Sequence, residues 1–175
     1  MSNVAPLPTV RTLTHATQGE LQALVDLLID CVEGGASVSF MHPLSPERAR
    51  GFWERVLADA QAGLRVLHVV DDAQGIVGTV QVVLDQPENQ PHRAEVSKML
   101  VHRRARKQGL GAVLMQAAHA SAAAHRKTLL VLDTSSPEAE RLYTRMGWQR
   151  VGEVPDFALL PHGGLCKTTF FYRAV

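Results

Sequence analysis

The sequence predicts an α/β fold, a central twisted mixed β-sheet flanked by about four helices, and three observations carry that prediction. The elements that can be read from the pattern run in the order β-α-α-β-β-β-α-β-α-β-β. Leu129-Leu130-Val131-Leu132 is apolar with no polar alternation, which suits a parallel strand buried on both faces and reached through a helix. Between the fourth strand and the third helix stands Arg106-Lys107-Gln108-Gly109-Leu110-Gly111, a basic turn that opens into an Ala-rich helical segment.

Each element has its own warrant. Residues 1–9 are Pro-rich and expected to be mobile, which leaves residues 10–175 as one domain; 175 residues suffice to bury a real core. Val10–His15 reads as a first strand. Leu21, Leu24, Val25, Leu28 and Val32 recur at helical spacing from about Gln18 to Glu33, and Gly34-Gly35 supplies the stop. Ser45-Pro46-Glu47 combines an N-cap, an N1 proline and a first-turn acid, opening a helix that ends near Gly63. Leu64–Val70 and Ile76–Leu84 flank Asp71–Gly75 and form a hairpin. A strand over about Arg93–His102 and a helix over about Gln108–His125 follow, then the strand Thr128–Asp133. Ser136-Pro137-Glu138 repeats the capping signal, Ala139, Leu142, Tyr143 and Met146 share one helical face, and Gly147 closes that helix. Trp148–Val154 and Thr168–Arg173 are closing strands, joined by a loop holding Pro155, Pro161 and Gly163-Gly164.

Composition narrows the function. A formal charge of +1 lacks the basic excess usual in nucleic-acid binding, and the short run Arg103, Arg104, Arg106, Lys107 has no interleaved aromatics for base stacking. Neither Cys31 and Cys166 nor the eight histidines fall at metal-ligand spacing, so no metal is expected. MSNVAPLPTV is no secretory signal and no apolar run approaches a membrane span, which points to a cytoplasmic protein, monomer or homodimer, with neither nucleic acid nor membrane as partner. A P-loop hydrolase is a poor fit, because Gly-Leu-Gly here lacks the Gly-Lys-Ser/Thr that brings lysine and hydroxyl to phosphate and magnesium.

The turn before the third helix is built for a phosphorylated ligand: the first amides of a helix are free to donate, the dipole adds positive charge, and the two glycines let a ligand approach the backbone. With Met99-Leu100-Val101 before Arg106-x-x-Gly109-x-Gly111, the Leu/Val-rich fifth strand, and Ala139–Trp148 (AERLYTRMGW), the chain resembles the GNAT family of acyl-CoA-dependent N-acetyltransferases. Gly34–Met41 (GGASVSFM), Arg93–Val96 (RAEV), Leu132–Thr134 (LDT) and Val151–Pro155 (VGEVP) are similar to its tabtoxin-resistance branch, which acetylates a β-lactam amino-acid toxin.

The resemblance implies acetyl-CoA as co-substrate, its pyrophosphate on the amides of Arg106, Lys107, Gln108, Gly109, Leu110, Gly111 and Ala112. Met99 and Val101 would pair with the pantetheine arm as an added strand, with an amide near Leu100 polarising the thioester carbonyl. A bulge is expected in this strand, since Val96 and Met99 break strict alternation. Many members carry Asn after the fifth strand; here Thr134 or Ser135 would offer a hydroxyl instead. The resemblance also makes Glu95 and Asp133 the candidate bases and Tyr143 the general acid for the departing thiolate. Glu95 would act through a water relay, with Asp133 as a second base or substrate anchor. Ser37, Phe40 and Met41 would form the acceptor wall. Read without the resemblance, Glu95 is a solvated strand residue paired with Arg93 or Lys98, Asp133 a turn residue, and Tyr143 a core aromatic. The expected reaction is direct transfer to a primary amine of a small amino-acid-like compound, a toxin or antibiotic, because neither cysteine lies in a cleft-lining motif. Peptide or protein N-termini are the alternative acceptors, and a non-catalytic acyl-CoA-binding domain the alternative role.

Overall fold

A computed structural model describes residues 9–175. The segment 1–9, expected to be mobile, lies outside the described residues except for Thr9. Helices α1 (Gln18–Glu33) and α2 (Pro46–Gln61) follow the short strand β1 (Val10–Thr12). The Thr17 hydroxyl takes the Glu20 amide while the Glu20 carboxylate takes the Thr17 amide, and the Ser45 hydroxyl takes the Arg48 amide, so each helix starts on a side-chain cap. Strands β2 (Arg65–Asp72) and β3 (Gly75–Val83) form the hairpin around Ala73-Gln74, and β4 (Arg93–Val101) pairs antiparallel to β3. Then come α3 (Leu110–Ala124), β5 (Leu129–Thr134), α4 (Pro137–Arg145), β6 (Gln149–Leu159) and β7 (Leu165–Ala174).

The sheet runs β1-β2-β3-β4-β5-β7-β6, with β4 and β5 parallel and every other neighbouring pair antiparallel. Two apolar cores lie on its opposite faces. One joins α1 and α2 to Leu67, Val69, Ile76 and Leu100 around the fully buried Trp53. The other joins Leu114, Met115, Ala118 and Ala122 of α3 to Val80, Val82, Val96, Leu130 and Leu132. Alternate residues of β2 feed the two cores, Leu67 and Val69 one and Val70 the other; on β5 only Leu130 and Leu132 are core residues while Leu129 and Val131 are half-buried, so the apolar run is not buried on both faces as expected. Among the described residues no helix is long and apolar enough to cross a membrane.

The element order matches the sequence expectation, while β1 stops at Thr12, short of the expected His15, and other boundaries shift for local reasons. Helix α3 starts at Leu110 rather than near Gln108, because Lys107 (φ 62°) and Gly109 (φ 79°) are left-handed and cannot continue a right-handed turn. A 3₁₀ turn at Arg103–Ala105, unforeseen in the pattern, precedes it. Strands β6 and β7 are longer than predicted, and Pro155 lies within β6. Its register shifts between Val154 and Ala158, and β6 is the edge strand, where a residue without an N–H breaks no ladder.

Candidate active site

The cleft originates in the way β4 leaves β5. The two strands pair only at Arg93–Leu129, Ala94–Leu130 and Glu95–Val131, so beyond Glu95 the β5-facing edge of β4 has no strand against it. On the other edge Gln81 faces Ser97 and Thr79 faces Leu100, which sets Lys98 and Met99 against the single residue Val80. This is a β-bulge, and the Lys98 backbone takes the left-handed conformation there (φ 48°). The buried Thr79 hydroxyl donates to the Lys98 carbonyl at 3.0 Å and helps hold the bulge.

Two cavities occupy the opening. One of about 510 Å³ lies between the α1 C-terminal loop, β4 and the start of α4, and is lined by Leu100, Val101, Arg106, Gly111 and Leu142 among others. The second, about 450 Å³, is lined by Phe40, Met41, Glu95, Lys98, Asp133 and Thr168 among others. Ser37, Val38, Met99, Thr134, Ser135 and Tyr143 line both, so the two are halves of one cleft that meet at Met99 and Tyr143. Lys107, Gln108, Gly109, Leu110 and Ala112 line neither half; Leu110 is buried beneath the turn.

At the end of the first half the turn offers backbone donors. Among the described residues the amides of Lys107, Gln108, Gly109, Leu110 and Gly111 find no protein acceptor. The Arg106 amide reaches the Arg103 carbonyl at 3.5 Å and that of Ala112 the Gly109 carbonyl at 3.1 Å, so the free set is narrower than the Arg106–Ala112 span expected. The basic cluster is divided as well. Arg103 pairs with Asp30 (2.7 Å) and Glu33 (3.3 Å), and Arg104 with Asp72 (3.0 Å). Those two arginines fasten the turn to α1 and to the β2–β3 hairpin, leaving Arg106 on the cavity wall and Lys107 beside it. Burial opposes ionisation of Asp30, yet hydrogen bonds from the Arg103 amide and guanidinium hold its carboxyl below the usual range. The two glycines do different work. Gly109 occupies a left-handed position open to solvent, whereas a Cβ on Gly111 would come within 3.0 Å of Leu142 on α4.

In the second half the acidic groups approach from different strands. Glu95 is half-buried on β4 and pairs with neither Arg93 nor Lys98; Arg93 instead bonds Gln90. Asp133, exposed at the end of β5, accepts a 2.6 Å hydrogen bond from the Thr168 hydroxyl of β7. Tyr143 is 6 % exposed and packs against Trp148 and Phe171 with ring centroids 6.0 and 5.9 Å away. Burial, reinforced by the Asp133 carboxylate, pushes its hydroxyl pKa up, so it stays protonated well above neutral pH. It is both a core aromatic and a cleft residue. The Thr134 hydroxyl accepts from the Ser136 amide at 3.1 Å and helps shape the start of α4.

One expectation is overturned. Both cysteines line the cleft: Cys31 the first half and Cys166 the second. Sequence spacing could not show this, since each reaches the cleft through tertiary packing. Burial pushes the Cys31 thiol up to about 11, and its sulfur contacts the Val101 carbonyl at 3.8 Å, so it is a poor nucleophile. Cys166 lies 3.8 Å from the Ser37 hydroxyl. Sequence reasoning also missed Thr168 and the β6 residues Phe157, Ala158 and Leu159, which complete the second half. Among the described residues no His, Cys, Asp and Glu cluster could hold a metal ion.

The family model for the acetyltransferase (GNAT) domain matches residues 63–150, just over half of the chain. The chain belongs to the GNAT acetyltransferase family. This GNAT is similar in fold to a ribosomal-protein-alanine N-acetyltransferase from Brucella melitensis at 20% identity and TM-score 0.78, covering 95% of this chain and 99% of that one. A phosphinothricin acetyltransferase from Sinorhizobium meliloti, solved with AcCoA, aligns at 17% identity and TM-score 0.80 over 96% and 88% of the two chains. A GCN5-related N-acetyltransferase from Kribbella flavida aligns at 21% and 0.75 over 96% and 98%. The matched span of this GNAT holds the bulge, the basic turn, Glu95, Asp133 and Tyr143.

Proposed function

We propose that this GNAT transfers the acetyl group of acetyl-CoA directly to the primary amine of a small amino-acid-like compound, a toxin or antibiotic of the kind taken by the tabtoxin-resistance branch. The observation that carries the reading is the two-part cleft: unpaired backbone donors at one end, two carboxylates at the other, and Met99 and Tyr143 where the halves meet. The residues present suit acetyl-CoA. The Lys107–Gly111 amides with Arg106 match a pyrophosphate, and the strand-free edge of β4 at Met99–Val101, where among the described residues the Val101 carbonyl accepts only from the side chains of Arg106 and Cys31, matches an extended arm with amide groups. Thr134 and Ser135 stand at the same junction. An acceptor cavity of about 450 Å³ is of small-molecule size.

When bound, acetyl-CoA supplies an activated acyl group as a thioester. The acceptor nitrogen attacks the carbonyl carbon, the C–N bond forms, the C–S bond breaks, and one proton must leave nitrogen while one reaches sulfur. At pH 7 a lysine-like amine costs roughly 4–5 kcal/mol to deprotonate. Glu95 lowers that cost by drawing the proton through water, with Asp133 orienting the ammonium from the opposite strand. Tyr143 donates a hydrogen bond to the departing sulfur; its raised pKa favours that role over complete proton delivery, because an ordinary thiol is the stronger acid. Cys166 stands close to the acceptor, and direct transfer requires nothing of it.

The setting we favour is cytoplasmic, supported by the two free thiols. The test follows free CoA with a thiol reagent, offering acetyl-CoA and a panel of amino acids, β-lactam amino acids, aminoglycosides, polyamines and short peptides. Release with an amino-acid-like acceptor, lost in Glu95→Gln, supports the reading. Release only with peptides, or acetyl-CoA binding with no release at all, overturns it.

A further inference from the structure

Lys98 lines the acceptor cavity and has no task in acetyl transfer as proposed. It lies three residues after Glu95, and in an unbroken strand an odd separation sends two side chains to opposite faces. The bulge removes that constraint, and both residues line the same 450 Å³ cavity. The Lys98 ammonium donates to the Ser39 hydroxyl at 3.1 Å, across from β4 to the α1–α2 connection. Ser39 is itself left-handed (φ 75°), so two non-glycine residues in an unfavourable backbone region meet through one hydrogen bond. Such residues are disfavoured and persist where surrounding structure enforces them, commonly at ligand sites.

The charges of the cavity are unevenly satisfied. Lys167 is held by Glu153 outside the acceptor space, and Asp133 accepts from Thr168. Among the described residues no carboxylate lies within ion-pair distance of Lys98, whose one side-chain hydrogen bond goes to a neutral hydroxyl. An ammonium has three donors, so two have no partner among the described residues. Burial pulls the Lys98 pKa down while the Asp133 and Glu95 carboxylates oppose the fall. An acceptor bearing only an amine would bring a second cation beside this one. An acceptor that also carries an anion would restore the balance.

We propose that Lys98, oriented by Ser39, is the anchor for a carboxylate on the acceptor, so that the cavity selects zwitterionic amino acids, ammonium toward Glu95 and Asp133 and carboxylate toward Lys98. This rests on the acetyl-transfer reading and narrows its substrate class. The experiment compares free amino acids with their α-amides, which keep the amine and lose the anion, in wild type, Lys98→Met and Lys98→Arg. Wild type should favour the acids over the amides in kcat/KM by about 10–100-fold, the value of a charged hydrogen bond. Lys98→Met should lose most of that preference through KM for the acids, with far less change on the amides and none in KM for acetyl-CoA. Lys98→Arg should recover part of it. Equal use of acids and amides by wild type, or equal loss on both in Lys98→Met, overturns the anchor while acetyl transfer stands. No transfer to any amine by wild type removes both. Should Lys98→Met fail to fold, the wild-type preference alone decides.

Discussion

The two halves of the cleft are made from different materials. On the proposed reading, the phosphate end of the cleft is backbone: the unpaired amides of Lys107–Gly111 and the strand-free edge of β4, both within one stretch of chain. The acceptor half is mostly side chains, and they converge from the α1–α2 connection, β4, β5, α4, β6 and β7. A site made of backbone is set by local conformation and tolerates many side chains. A site made of converging side chains depends on how distant segments pack, and each member can be exchanged separately.

Substitutions should expose that asymmetry. The largest effect belongs to the acceptor half: Glu95→Gln should lower kcat about 10²–10⁴-fold, the usual range for a lost general base, with acetyl-CoA affinity kept. Steady-state kinetics beside calorimetric acetyl-CoA titration separates the two, and unchanged turnover removes Glu95 as the base. Next is Gly109→Val. A Cβ there meets nothing within 4 Å, so the harm comes from a β-branched residue forced to φ 79°, at about 1–3 kcal/mol. CoA affinity and melting temperature should fall together; unaltered affinity would refute the phosphate site at this turn. Tyr143→Phe tests the junction and should slow turnover about 10–100-fold, the value of one hydrogen bond to a charged group. Its melting temperature should barely move, whereas a large drop would show that the ring's packing had been disturbed. The smallest effect is expected for Cys166→Ala. Direct transfer predicts turnover close to wild type, and an acetylated cysteine trapped by mass spectrometry would instead show a covalent route.

The same division decided what could be read from the sequence. The caps at Ser45 and Ser136 and the stop at Gly34 are governed by residues within a few positions, and each lies where the pattern predicts; the turn into α3 was legible too, apart from the helix's later start and the 3₁₀ turn before it. Glu95, Asp133 and Tyr143 were carried by motif resemblance, and the structure brings them around one cavity. The Thr168–Asp133 hydrogen bond spans 35 positions and has no local signal. Cys166 and Lys98 escaped for related reasons: one depends on how β7 packs, the other on a bulge that turns its side chain against the alternation of its strand. The arginines illustrate the opposite error. Arg103, Arg104, Arg106 and Lys107 look equivalent as a run, yet acids on α1 and the hairpin claim the first two.

The β6 edge strand gives the acceptor cavity an unusual freedom. Phe157 and Leu159 stand on its wall and remain about half exposed, with Leu165 and Val151 still more open along the same hairpin. Exchanges at such positions usually shift stability by no more than about 0.5 kcal/mol. Selection can therefore redraw this wall at almost no cost to folding, while the Lys107–Gly111 turn, a separate part of the chain, stays as it is. A duplicated copy of this chain would diverge in substrate first along β6.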